Sequence, residues 1–406
     1  MFKHTQNFNN QKNALLLFLM KVKLHKNSLV LLCFYALLQM ACTYNHLPES
    51  NKKVILIWYP APAIQTKEEF TTGLTWLFSY LGAKLPAEQF NDGVKFLETS
   101  KIEIDISKLG FPEFAIINLE QLINLVKQTQ EYNNTGGIDA GRFFALCFNN
   151  TYHYYKITGA PKTYNNFSTQ YASLAYKTFV CDTSSISNSS RIFNYTVDDL
   201  NIQKNYFVSH EGDGRYSNGS FLKSGIIEAF DYMDNGQPRF VIYNQQGDLY
   251  APKDPLLHRA GKPAKCMWCH ESGMQPLFSG TSNIPGFVSK EVFLQDQRYF
   301  TSKLKAFHAQ TKSQLNFNDA RAHTQGEYIY LCFNEPNAAR LADEWNVSEE
   351  AVKKMLLSIP THVNTEFPFL KDVYHRNQIE KYAPYKSIKV SDDMREATNN
   401  EPNYLK

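Results

Sequence analysis

Two cysteines separated by two residues, and followed at once by a histidine, stand at Cys266-Met267-Trp268-Cys269-His270, in a stretch that begins at Lys265 and ends at Glu271. Three side chains able to bond a metal or a prosthetic group lie within five consecutive positions, and any fold of this chain has to keep them together. The motif is short enough to arise by chance, so its meaning depends on the compartment and on the other ligands the chain supplies. The chain holds no second C-x-x-C. A zinc site here would need further ligands, with His258 as a candidate. A thioredoxin-like redox pair would want a preceding strand and a βαβ setting, and neither is evident in the sequence. A Cys266–Cys269 disulfide and two ordinary buried cysteines are the remaining alternatives.

The N-terminus speaks to the compartment. Residues 1–41 carry five lysines (Lys3, Lys12, Lys21, Lys23, Lys26) and no acid. Lys21-Val22-Lys23-Leu24-His25-Lys26 forms a basic region, and residues 28–40 (SLVLLCFYALLQM) an apolar one of signal-peptide length, short for a bilayer span. Met20 is a plausible true start, although residues 14–20 are also apolar. The apolar run ends at Leu38-Gln39-Met40-Ala41-Cys42, which resembles a bacterial lipobox, with Gln39 where an aliphatic residue is usual. That resemblance implies cleavage before Cys42, lipidation of Cys42, and an exported protein held at a membrane in the periplasm or at the outer membrane. Without residues 1–41 the chain keeps 37 basic and 39 acidic residues, so the +3 of the full sequence becomes slightly negative and no electrostatic argument favours nucleic acid. The remaining cysteines, Cys147, Cys181 and Cys332, are odd in number; one disulfide, such as Cys147–Cys181, or three buried thiols would each be consistent.

In an exported chain the C-x-x-C-H spacing resembles that of bacterial c-type cytochromes. The resemblance implies one covalent haem c, with Cys266 and Cys269 forming thioethers to its vinyl groups and His270 as proximal iron ligand. It extends to Pro276-Leu277-Phe278-Ser279-Gly280, similar to the P-x-L-x-G segment of small cytochromes c, with Phe278 in place of leucine and a spacing from His270 that is short for the family. There the proline carbonyl accepts a hydrogen bond from the proximal imidazole. The opposite iron face is unassigned. His258, His308, His323, Met355, His362 and His375 are candidates, in the order Met355, then His308; Met274 stands only four residues from His270, on the same side. Electron transfer with a redox partner is the first functional expectation. A haem enzyme or ligand sensor with an open sixth position, and a non-haem surface lipoprotein that binds a partner, are the alternatives.

The rest of the chain reads as α+β: a mostly helical region over 42–177, an antiparallel β meander over 178–252, and a mostly helical region over 253–406 that carries the haem motif. With 43% hydrophobic and 14% aromatic residues it can build large cores. Val54 to Tyr59 is expected as a strand or extended arm. A helix from Thr66 should bury Phe70, Leu74, Leu77 and Phe78 and stop near Gly82. A second after Pro86 should carry Phe90, Val94, Phe96 and Leu97. The alternation at Ile102, Ile104 and Ile106 predicts a strand, Leu119, Leu122, Ile123 and Val126 a helix, and 133–137 a loop. One helix is expected from Asp139 to about Tyr155, with His153 as a packed polar residue. Asp234-Asn235-Gly236-Gln237 signals a hairpin within a meander whose simplest job is structural. Helices are expected over 289–310 and 319–333, and the tail after Val390 reads as frayed. Gly141-Arg-Phe-Phe-Ala-Leu-Cys-Phe-Asn149 and Gly326-Glu-Tyr-Ile-Tyr-Leu-Cys-Phe-Asn334 look alike, but their flanks do not extend the match.

Residues 339–356 resemble a DNA-binding helix-turn-helix, with Asn346-Val347 as the turn, Ser348 as a cap, and Val352, Met355 and Leu356 facing inward. Glu349 and Glu350 open the second helix, where phosphate contacts need basic or neutral groups, so a helix pair without a nucleic-acid role is expected.

Overall fold

The computed structural model describes residues 51–406 except 63, 182, 184–189, 198–200, 213–222, 254–260, 276, 279–282, 318–321 and 400. The signal and lipobox segment with Cys42, the zinc candidate His258 and the carbonyl-bearing Pro276 lie outside the described residues. Residues 52–406 form one compact unit. It is α+β, and among the described residues no helix is long and apolar enough to cross a membrane.

A mixed sheet lies in the N-terminal part. Strand β1 (Lys53–Ile57) is central; β2 (Val94–Phe96) and β3 (Lys101–Asp105) follow on one side as antiparallel neighbours, and β4 (Ile138–Asp139) pairs parallel to β1 on the other. The alternation read in the sequence places Ile102 and Ile104 in the core. Helix α1 (Lys67–Tyr80) starts where expected: the Thr66 hydroxyl accepts from the Glu69 amide while the Glu69 carboxylate accepts from Thr66, a reciprocal cap that stabilises the start by about 1 kcal/mol. Helix α2 (Ala87–Gly93) is shorter than its apolar pattern predicts. Val94 and Phe96 belong to β2 instead, and Leu97 is exposed. The β-branched Val94 pairs with Ile104 across the sheet, so tertiary pairing overrides the helical spacing. Helix α3 (Glu113–Lys127) buries the predicted Leu119, Leu122, Ile123 and Val126.

Two expectations fail for local reasons. The stretch 133–137, read as a loop, is half occupied by α4 (Gln130–Thr135), which Thr129 caps and Gly136 ends with φ of 76°. The single helix expected from Asp139 is two, α5 (Ala140–Cys147) and α6 (Thr151–Thr158), because Asn150 leaves the helical conformation and its side chain caps the His153 amide. His153 is packed as expected. A seventh short helix, α7 (Tyr164–Thr169), leads to the second sheet.

That sheet is an antiparallel meander in sequential order, β5 (Lys177–Cys181), β6 (Arg191–Tyr195), β7 (Tyr206–Gly212), β8 (Lys223–Tyr232) and β9 (Pro238–Tyr243). The predicted hairpin joins β8 to β9 with Gly236 at φ of 81°; a side chain there would strike the His308 ring. Next come α8 (Pro263–His270), α9 (Lys290–Gln310, capped by Ser289) and α10 (Ala322–Asn334). One hydrophobic core runs through both sheets and helices α1, α3, α5, α8, α9 and α10. The look-alike segments pack on each other: at Gly141 a Cβ would meet Phe333 Cβ at 2.3 Å and the Ile329 carbonyl oxygen at 2.6 Å, so only glycine allows α5 and α10 to come so close.

Helices α11 (Ala338–Trp345) and α12 (Glu349–Met355) form the expected pair, turning at Asn346 with φ of 54° and ψ of 50°. Leu341, Trp345, Val352 and Leu356 fill a satellite core. Met355 does not face inward as the pattern suggests; it is 42% exposed. A two-residue hairpin, β10 (His362–Val363) with β11 (Asp372–Val373), and the short α13 (Arg376–Ile379) follow. Cys147, Cys181 and Cys332 are buried thiols outside any disulfide, so the Cys147–Cys181 bridge does not form.

The tail is the largest departure. Far from frayed, residues 391–406 are tied to the body. Glu401 accepts from the Thr151 amide at 3.0 Å, the Asn150 side chain donates to the Pro402 carbonyl at 2.6 Å, the Tyr404 amide donates to His153 Nε2 at 2.9 Å, and Leu405 is buried. A polar composition hid these contacts because each is made to a residue far off in sequence.

Candidate functional site

Helix α8 carries the motif at positions i, i+3 and i+4, which puts Cys266, Cys269 and His270 on one face. Pro263 occupies the first turn, where its missing N–H is no loss. The helix stops directly after His270. Glu271 takes φ of 50° and ψ of −115°, a conformation that a residue with a Cβ rarely holds, and its amide closes the last turn on the Met267 carbonyl at 2.7 Å. The chain thus turns away at the residue after the histidine.

The two faces of α8 differ in kind. The motif face looks onto a cavity of about 950 Å³, its open mouth included. Cys266, Cys269 and His270 all line it, and one face of the meander forms another wall. Period-two alternation sets that wall. Phe207, Phe230 and Phe240 are cross-strand neighbours in one row, and Phe193, Ser209, Glu228 and Ile242 form the next. Phe207 and Phe230 stack with ring centroids 4.8 Å apart, and the His270 ring lies 5.6 Å from Phe230 and 5.7 Å from Phe240. Met274, Leu277, Phe278 and, from α9, Phe293 and Gln297 close the side. An apolar lining with a few convergent polar groups is the usual make-up of a cofactor pocket.

Three polar features stand within it. Burial holds the His270 imidazole down to about 4, against a smaller opposing pull from the Gly273 backbone, so the ring is neutral at ordinary pH. Its Nδ1 is buried with no hydrogen-bond partner. Burial likewise raises both motif thiols, Cys266 far more than Cys269, which Arg395 and Lys265 draw back. Neither thiol is in a disulfide. A thioredoxin-type pair needs a thiolate-stabilising setting, and burial that raises both thiols is the reverse. Thirdly, Arg191 Nη1 pairs with Glu228 Oε2 at 2.7 Å on the sheet wall and also donates to Ser209. An ion pair in an otherwise phenylalanine-lined cavity is costly unless well paired, and Glu228 Oε1 lacks a hydrogen bond.

The tail-facing side of α8 is held by charges. Lys262, fully buried, donates to the Ser391 hydroxyl, to the Asp393 carbonyl at 2.8 Å, and pairs with Glu401 at 2.9 Å. Lys265 pairs with Glu396 at 2.7 Å, and the Arg395 guanidinium lies 3.8 Å from the Trp268 ring centre. Gly261, with φ of 69°, lets the Arg395 carbonyl approach: its own position admits no Cβ, and the neighbouring Lys262 amide donates to that carbonyl at 2.7 Å.

The structure brings Cys266, Cys269 and His270 to one cavity, with Met274 beside them, but neither Met355 nor His308 lines it. Met355 sits on the surface of α12. His308 bonds the Gly236 carbonyl at 3.1 Å and stacks on Phe317 at 3.5 Å. His323 packs against Trp76 and Trp268, and His362 and His375 stack on each other elsewhere. Among the described lining residues His270 is the one histidine. Sequence reasoning missed the sheet wall: the signal was Phe at alternate positions of the meander, with Arg191 and Glu228 set among apolar residues. These residues suit a covalent haem on chemical grounds: free paired thiols, a neutral imidazole with an orphaned nitrogen, and apolar walls. Comparison with known protein families, curated proteins and solved structures gave no match, so the site is read from its own chemistry.

Proposed function

We propose that the protein is an exported, lipid-anchored c-type cytochrome-like protein that carries one covalent haem c and passes electrons to a redox partner. The observation that carries this reading is the convergence of Cys266, Cys269 and His270 on one phenylalanine-walled cavity. Cys266 and Cys269 would hold the macrocycle through thioethers, and His270 would bind iron from the same side. Bound haem supplies a one-electron iron couple. The chain's own part is to present a neutral imidazole, to keep water from the ring with Phe207, Phe230 and Phe240, and to fix α8 by the clamp on its other side. In this reading the helical region 42–177 and the meander 178–252 are scaffold, and 253–406 carries the cofactor. The lipobox at Cys42 supports the anchor and a periplasmic or outer-membrane address.

A specific observation favours a second reading. The cavity lacks the proposed distal ligands Met355 and His308 and offers the Arg191–Glu228 pair instead. This suits an iron with an open sixth position and a haem enzyme or ligand sensor. The mature chain, expressed with cytochrome c maturation proteins, tests both. A pyridine haemochrome spectrum should show haem bound through two thioethers. A carbon monoxide difference spectrum then separates a six-coordinate electron carrier, which stays silent, from an open iron, which responds.

A further inference from the structure

We propose that Glu335, His362 and His375 form a second, separate metal site for a divalent first-row transition ion of the zinc type. Three donors come from three places in the chain: Glu335 directly follows α10, His362 opens β10, and His375 directly precedes α13 without bonding its amides. One ligand atom from each lies within 4.8 Å of the other two. His362 Nε2 is 3.3 Å from Glu335 Oε2, and the two imidazoles stack with centroids 4.0 Å apart.

The carboxylate is already oriented. Asn364 Nδ2 donates to Glu335 Oε2 at 2.8 Å, and the Asn364 carbonyl oxygen is itself fixed by the amides of Glu366 and Phe367. Supporting bonds of this kind are what hold first-row metal ligands in place. An ordinary surface ion pair needs none of them. His362 presents Nε2 to the carboxylate and keeps Nδ1 buried without a hydrogen-bond partner. Two imidazoles with one carboxylate are a donor set that takes zinc, and three protein ligands leave a position for water. His375 is exposed, while the His362 and Glu335 side chains are 30% and 18% exposed, so an ion can enter from solvent. The ion would add a cross-link between the β10–β11 hairpin and the end of α10 to the Asn364–Glu335 bond already there.

The test is equilibrium dialysis and calorimetry with Zn²⁺ on the mature chain carrying Cys266→Ser and Cys269→Ser, so that motif thiols cannot take the metal. We expect one zinc per chain, Co²⁺ giving the visible absorption of a low-coordinate ion, and at least about a tenfold loss of affinity in His375→Ala and Glu335→Gln. His375 is exposed, so its removal should leave the metal-free melting temperature unchanged, which separates lost ligation from lost fold. Absence of stoichiometric zinc, or an affinity that both substitutions leave unchanged, overturns the proposal and returns the cluster to a surface His–Glu contact. Neither result bears on haem.

Discussion

The two sides of helix α8 answer opposite demands. Toward the tail the charges are paired: Lys262 with Glu401, Lys265 with Glu396, and Arg395 with Glu366 while it lies over Trp268. Toward the sheet, two thiols and an imidazole meet phenylalanines, and His270 Nδ1 meets nothing. A fold that satisfies one side so fully is able to satisfy the other, and leaving a buried ring nitrogen unpaired costs about 1–3 kcal/mol. We read the tail side as structural and the sheet side as the one that would take the proposed cofactor.

The sharpest way to break this contrast is on the motif face. His270→Ala should remove native ligation altogether while the clamp keeps α8 in place. A variant whose haem spectrum matches that of the parent would end the assignment of His270. Next in size is the clamp. Lys262→Ala leaves Glu401 buried without its partner and should cost about 3–5 kcal/mol in urea unfolding, with the thiols still able to take haem. Loss of attachment without loss of stability would mean that the two faces had been assigned the wrong way round.

A third prediction uses pH. Burial holds His153 at about 4, below the usual histidine range. Its Nδ1 donates to the Leu146 carbonyl at 2.7 Å, and its Nε2 must be bare to accept from Tyr404. The unfolded chain therefore binds the proton more readily, and stability is full above about pH 6.5 and falls as pH drops toward 4. His308, also held at about 4, pushes the same way. On acidification from pH 7 to 5 the loss should be about 2 kcal/mol for each such histidine, and limited proteolysis should first find the end of the tail, where protonated His153 repels the Tyr404 amide. A melting temperature flat over that range would contradict the placement. The smallest effect is expected at Met355. Met355→Ala should change stability by no more than about 0.5 kcal/mol and leave the haem spectrum untouched; a shifted spectrum would reinstate it as a ligand.

What was legible in the sequence follows interaction range. Thr66 with Glu69, the strand through Ile102 and Ile104, and the turn at Gly236 declare themselves because their determinants lie within a few residues. Cys266, Cys269 and His270 are legible as a cluster for the same reason. The wall they face is not, since Phe207, Phe230 and Phe240 become neighbours only once strand register is set. The tail misled because Glu401 and Tyr404 find their partners about 250 positions earlier in the chain. Met355 misled because a helical stripe predicts a face, while the satellite core of α11 and α12 is filled by Val352 and Leu356 alone on that turn.

The central claim is most directly tested by intact mass and thiol alkylation of the denatured mature chain after expression with haem maturation proteins. The account predicts a mass increase of one haem per chain, with Cys147, Cys181 and Cys332 alkylated and Cys266 and Cys269 protected. A chain without added haem, in which Cys266 and Cys269 alkylate as readily as the other three, would contradict it.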